Sequence, residues 1–134
     1  MGRYYHGTIE GKFMFGVQSS TDADFFGVKG VDVPYTVNYY FDKDNLPAVK
    51  KGIDTCINTL GKYKDIIDEF FTEKDYYNDE QLMEFFDKKL SIHQHHVKET
   101  VRYYLEWWAR LRLGKEILEC IEKKGYCDFD AELN

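Results

Sequence analysis

Cys127-Asp128-Phe129-Asp130-Ala131-Glu132-Leu133 alternates without a break: Cys127, Phe129, Ala131 and Leu133 on one side, Asp128, Asp130 and Glu132 on the other. A period of two is that of a β-strand with one buried and one solvated face. The stretch predicts a strand over 127–133 that is apolar on one face and acidic on the other. A strand so late in the chain needs partners, because an isolated two-stranded hairpin is marginal. The candidate partners lie at the amino-terminal end.

Residues 8–18 supply one candidate. Ile9, Phe13, Phe15 and Val17 fall on one side, and Thr8, Glu10, Lys12 and Gln18 on the other. Tyr4 and Tyr5 either extend this strand backwards or form a separate short one before Gly7. The turn-rich stretch 19–32 follows. A second strand is expected over 34–41, with Tyr35, Val37, Tyr39 and Phe41 on one face and Thr36, Asn38 and Tyr40 opposite. Pro34 stands at its start, where a missing N–H is tolerated.

Helices fill the middle. Asp44 or Asn45 caps the first and Pro47 lies in its first turn. Leu46, Val49, Ile53, Cys56, Leu60, Tyr63, Ile67 and Phe70 then follow spacings of three and four, predicting a helix over 45–72 that packs lengthwise on another. Gly52 and Gly61 each weaken it by about 1 kcal/mol relative to Ala. Asn78 and Gln81 make a capping box, and Ser91-Ile92-His93-Gln94 makes a second. Helices are therefore expected over 79–90 and 92–123, with Lys123, Lys124 and Gly125 as the stop. The fold class is α+β: one domain over 1–134, a small three-stranded antiparallel sheet packed against a long antiparallel helical hairpin.

Composition bounds the function. The chain has 134 residues, a formal charge of −6 and 43% hydrophobic residues, enough for a core and too acidic for generic binding to a phosphate backbone. No apolar run approaches a membrane span. The first residues lack the apolar core of a signal peptide, and Gly2 followed by His6 is no myristoylation signal. Three cysteines, Cys56, Cys120 and Cys127, read as free thiols in a reducing compartment. Cys56 and Cys127 are expected in the core, and a Cys120–Cys127 redox pair requires a proximity that spacing does not supply. The expected location is the cytoplasm.

Adjacent aromatics recur: Tyr4-Tyr5, Phe25-Phe26, Tyr39-Tyr40, Phe70-Phe71, Tyr76-Tyr77, Phe85-Phe86, Tyr103-Tyr104 and Trp107-Trp108. Neighbours point to different faces on a strand or a helix. Either the apolar faces are wide or some rings await a partner. Arg102, Tyr103, Trp107 and Arg110 combine the residue types of interface hot spots, on a helix face distinct from the Tyr104–Trp108–Leu111 stripe. Tyr76 and Tyr77, at the turn between helices, are secondary candidates. The competing reading makes Arg102, Glu106 and Arg110 a solvated i,i+4 ladder.

The candidates for chemistry are fewer. His93, His96 and Glu99 share a helix face and would offer two nitrogens and an oxygen to zinc. Against this, the order is not that of a metalloprotease, and His93 also fits the apolar stripe. No phosphate loop, nucleophile elbow or cofactor motif is present. The acidic row Asp128, Asp130, Glu132 is either a guard against edge-to-edge aggregation or an anionic docking surface. The functional expectation is a non-enzymatic module that binds a protein or itself. A metal-binding protein or small metal-dependent enzyme is one alternative. A small-ligand or nucleotide binder, with rings stacking on a base, is another.

The opening Gly2-Arg3-Tyr4-Tyr5-His6-Gly7-Thr8-Ile9-Glu10-Gly11-Lys12-Phe13-Met14-Phe15-Gly16-Val17-Gln18-Ser19-Ser20, with Asp24-Phe25-Phe26-Gly27, and the closing Lys124-Gly125-Tyr126-Cys127-Asp128-Phe129-Asp130-Ala131-Glu132-Leu133 resemble short uncharacterised proteins of marine bacteriophages and large DNA viruses. The resemblance implies a viral accessory protein working in the cytoplasm of an infected host cell. It carries over no functional residue.

Overall fold

A computed structural model describes residues 3–14, 17–73, 81, 84–85 and 94–133, with the backbone alone at 73 and 94–99. The last strand is the centre of the sheet. Strands β1 (Tyr4–Gly7), β2 (Gly11–Lys12), β3 (Val31–Val33), β4 (Thr36–Asp42) and β5 (Tyr126–Glu132) form an antiparallel sheet in the order β2-β1-β5-β4-β3. β5 pairs with β4 from Thr36↔Glu132 to Asp42↔Tyr126, and with β1 from Tyr5↔Ala131 to Gly7↔Phe129. The tail does return to the amino-terminal strands, in an α+β fold.

The sheet has five strands where three were expected. The predicted strand 8–18 is instead a chain reversal: β1 ends at Gly7, the chain turns through 8–10, and β2 pairs back on β1. Gly7 passes so close to β5 that an added Cβ would lie 2.6 Å from Phe129 Cα. The alternation that suggested one strand comes from Ile9, Phe13 and Val17 reaching the core from irregular backbone. The predicted strand 34–41 starts two residues later, and β3 precedes it through a Pro34-Tyr35 turn.

Helix α1 (Leu46–Leu60) and helix α2 (Tyr63–Glu73) replace the single helix expected over 45–72. Gly61 has φ +52 and ends α1, a conformation glycine reaches without a Cβ clash. The apolar seam nevertheless crosses the break: Val49, Ile53, Cys56, Leu60, Ile67 and Phe70 are all buried. Helix α3 (Gln94–Lys124) follows the expected 92–123 closely. The helix expected over 79–90 lies mostly outside the described residues, where 81 and 84–85 are helical. The long two-rod hairpin is thus replaced by α1 and α2 packed along α3.

One face of the sheet is roofed. Tyr5, Val37, Tyr39, Phe41, Cys127, Phe129 and Ala131 point inward and are buried. Phe129 stacks on Tyr39 at 5.3 Å and on Phe41 at 6.4 Å between ring centroids. Above them, Phe26 wedges between the two long helices. An added Cβ at Gly52 of α1 would lie 2.7 Å from its ring, and one at Gly114 of α3 would lie 2.5 Å from it. Close approach is therefore the reason for Gly52, not for Gly61.

Candidate functional site

The aromatic pairs divide as strand and helix geometry requires. Tyr5, Phe26, Tyr39 and Trp108 are buried, and their neighbours Tyr4, Phe25, Tyr40 and Trp107 lie at or near the surface. The question is which of these outer rings already has an occupation.

On α3 most do. The Arg110 guanidinium sits 4.5 Å from the Trp107 ring centroid and 5.0 Å from that of Phe25, whose ring meets Trp107 edge-on. Its Nε donates to Asp22 Oδ1 at 2.7 Å, and Nη2 donates to Glu106 at 3.1 Å. Trp107 and Arg110, picked from the sequence as partner contacts, are thus knotted to the 3-10 turn Asp22–Phe26. Arg102 and Tyr103 lie on the exposed side of α3; Tyr103 leans edge-on against Tyr104, which stacks on Tyr63 of α2 at 3.9 Å. Tyr76, Tyr77 and His93 lie outside the described residues. So do the side chains of His96 and Glu99, whose backbone is in α3. Among the described residues no cluster of ligating side chains could hold a metal. No helix among them is long and apolar enough to cross a membrane.

The outer face of the sheet is different. No described element covers it. Side chains paired across an antiparallel ladder share a face, so the registers place Tyr4, His6, Val31, Val33, Thr36, Asn38, Tyr40, Tyr126, Asp128, Asp130 and Glu132 together. Asn38 Nδ2 donates to Asp128 Oδ1 and to Asp130 Oδ1, each at 3.0 Å. One amide thereby holds two carboxylates that stand about 7 Å apart along β5. Tyr40 and Tyr126 stack at 6.2 Å beside Asp128 and are half exposed. At the other end Tyr4 N donates to Glu132, and the Lys12 ammonium lies over the Tyr4 ring at 5.8 Å.

Tyr35 stands beyond that end, at the β3–β4 turn. The sequence placed it on the buried face with Val37; it is 88% exposed. Pro34 with its fixed φ followed by Tyr35 at φ +70 is the pattern of a type II turn, whose second central position favours glycine. A tyrosine there costs about 1 kcal/mol or more. Leu133, expected on the buried face, lies past the end of β5 and is 40% exposed, its N–H donating to Tyr35 O at 3.2 Å.

A third feature is a cleft of about 250 Å³ between the 8–10 turn and the end of α3, lined in part by Thr8, Glu10, Glu116, Cys120 and Lys123. Tyr5 donates a short hydrogen bond to Glu116. Burial pushes the Glu116 carboxyl above its ordinary 4.5, against the opposing pull of that bond and of Arg112. Burial and the same bond push the Tyr5 phenol up. A carboxyl raised on folding adds stability below 4.5 and loses it as pH rises through the folded value. Replacing Glu116 by Gln keeps an acceptor for Tyr5 and removes the buried charge. The melting temperature of Glu116→Gln is expected to climb relative to the natural chain as pH rises from 4.5 to neutrality. Parallel thermal melts across that range check this, and a constant difference would contradict it.

No protein-family model, no curated protein and no solved structure matches the chain.

Proposed function

We propose that this chain is a non-enzymatic protein-binding module that docks an extended segment bearing lysine or arginine on the uncovered face of its sheet. The observation that carries the reading is the pair Asp128 and Asp130, drawn together by Asn38 and flanked by half-exposed tyrosines. Each carboxylate keeps one oxygen without a donor among the described residues. Side chains two apart on an extended partner recur at the same spacing of about 7 Å, so alternate basic residues would meet alternate acids. Tyrosine faces attract cations, and Lys12 over Tyr4 is an internal example of that contact on this face. The net charge of −6 favours the same partner at long range. Tyr35 adds a second reason: the turn retains an exposed ring where glycine would relax the backbone. The viral role implied by the terminal resemblance would supply a host factor, or a second copy, as that partner.

The test is titration with extended peptides carrying Lys at alternate positions, against the same peptides with Glu. The basic series is expected to bind and to weaken with salt. Asp128→Asn and Asp130→Asn should each reduce affinity about tenfold, the scale of one charge-assisted hydrogen bond. Tyr35→Gly should also weaken binding while leaving the melting temperature unchanged or raised. Equal affinity for both peptide series, or indifference to all three substitutions, would sink the reading.

A further inference from the structure

The connection from α3 to β5 brings together two thiols that are seven residues apart in sequence. Cys120 Sγ donates to the Tyr126 carbonyl oxygen at 3.3 Å. Peptide geometry places that oxygen about 2.8 Å from the next Cα, that of Cys127. The Cys120 sulfur therefore lies no more than about 6 Å from the Cys127 Cα. That contact sets the two side chains within reach of one another at the junction of α3 and β5, which is the proximity a redox pair needs. Gly125, at φ +84, makes the sharp turn that allows it. All three cysteines are free, and Cys56 lies in α1, away from this junction.

Their surroundings differ. Cys120 is on the wall of the 250 Å³ cleft, beside Lys123 and behind the 8–10 turn. Cys127 is fully enclosed between the sheet and α3. Burial pushes the Cys127 thiol up to about 12, which leaves little thiolate there at neutral pH. Cys120, 6% exposed, borders the cleft, and Cys127 does not reach it.

We propose that Cys120 and Cys127 form a reversible disulfide, a redox-modification site in which Cys120 meets a low-molecular-weight disulfide and Cys127 resolves it. Cys120, as thiolate, attacks one sulfur of the small disulfide. That S–S bond breaks and one small thiol leaves. Cys127 then gives up its proton to solvent and attacks Cys120 Sγ, displacing the second small thiol. The protein loses two hydrogens and the small disulfide is reduced to two thiols. The bridge would tie the end of α3 to the central strand and fix Tyr126 between its ends. This inference is independent of the docking reading.

Treatment of the folded, reduced chain with glutathione disulfide tests it, read by intact mass and by peptide mapping without reductant. The expected product is lighter by two hydrogens, contains a linked Cys120–Cys127 peptide, melts at a higher temperature and reverts with dithiothreitol. Cys127→Ala should stop at one glutathione on Cys120, and Cys120→Ala should take none there. Failure of the natural chain to lose two hydrogens would overturn the proposal without recourse to any variant. So would a link through Cys56.

Discussion

A chain ending at Gly125 is expected to lose its cooperative melting transition altogether. β5 is hydrogen-bonded along both edges, to β4 over its whole length and to β1 over three residues. Without it the sheet falls into two hairpins, β1–β2 and β3–β4, each below the size at which a sheet is stable in water. The loss of packing is as severe. Phe129 stacks on Tyr39 and Phe41 and meets Tyr5 at a tilt, and all four rings are buried. Truncating Phe129 alone to Ala should cost about 3–5 kcal/mol, out of the roughly 5–15 kcal/mol that keeps a domain folded. Calorimetry checks the deletion: the heat-absorption peak should vanish while helical circular dichroism persists in part. A shortened chain that melts as sharply as the full one would show that the helices hold the molecule without the sheet.

The importance of β5 is legible in the sequence because its pattern has one physical cause. A strand with a core on one side and water on the other must alternate, and Cys127, Phe129 and Ala131 are buried as that pattern demands. Where alternation has two causes, it misleads. Ile9, Phe13 and Val17 also alternate, yet they reach the core from a turn and a loop, because the chain reverses between Gly7 and Gly11. The same holds for the helices. Leu60, Tyr63 and Ile67 keep the spacing of a continuous seam, so periodicity alone conceals the break that Gly61 makes between them. The acidic row of the docking face could be read from β5 by itself. Its partner Asn38 could not, because a hydrogen bond across 90 residues exists only once the register of β4 on β5 is set. Tyr35 misleads for a related reason. It continues the alternation of Val37, Tyr39 and Phe41, and only the Pro34 before it signals a turn rather than a strand.

Arg110 is where helix-face reasoning and tertiary structure diverge most, and its removal should have the second largest effect. On the helix it pairs with Glu106 four residues earlier, an i,i+4 arrangement worth about 0.3–0.5 kcal/mol. That local pair is the minor part of its role. The Asp22 side chain is only 2% exposed and faces Arg110 at 2.7 Å, with Gln18 Nε2 as its other side-chain donor at 2.9 Å. Arg110→Ala would leave that carboxylate buried beside a neutral amide, a situation that costs about 3–5 kcal/mol. The loss would also uncover the faces of Trp107 and Phe25, which the guanidinium now spans. Arg110→Lys should recover little, since a point charge cannot bridge Asp22 and Glu106 and also cover an indole. Urea unfolding of Arg110→Ala, Asp22→Asn and the double variant measures the coupling directly. Asp22→Asn should restore part of the stability lost in Arg110→Ala, because it removes the charge left without a partner. Glu106→Ala should change stability by well under 1 kcal/mol. A contact reserved for another protein would behave in the opposite way: Arg110→Ala would fold as firmly as the natural chain and fail only in association. A loss of less than about 1 kcal/mol would therefore return Arg110 and Trp107 to the partner-binding face suggested by their position on the helix.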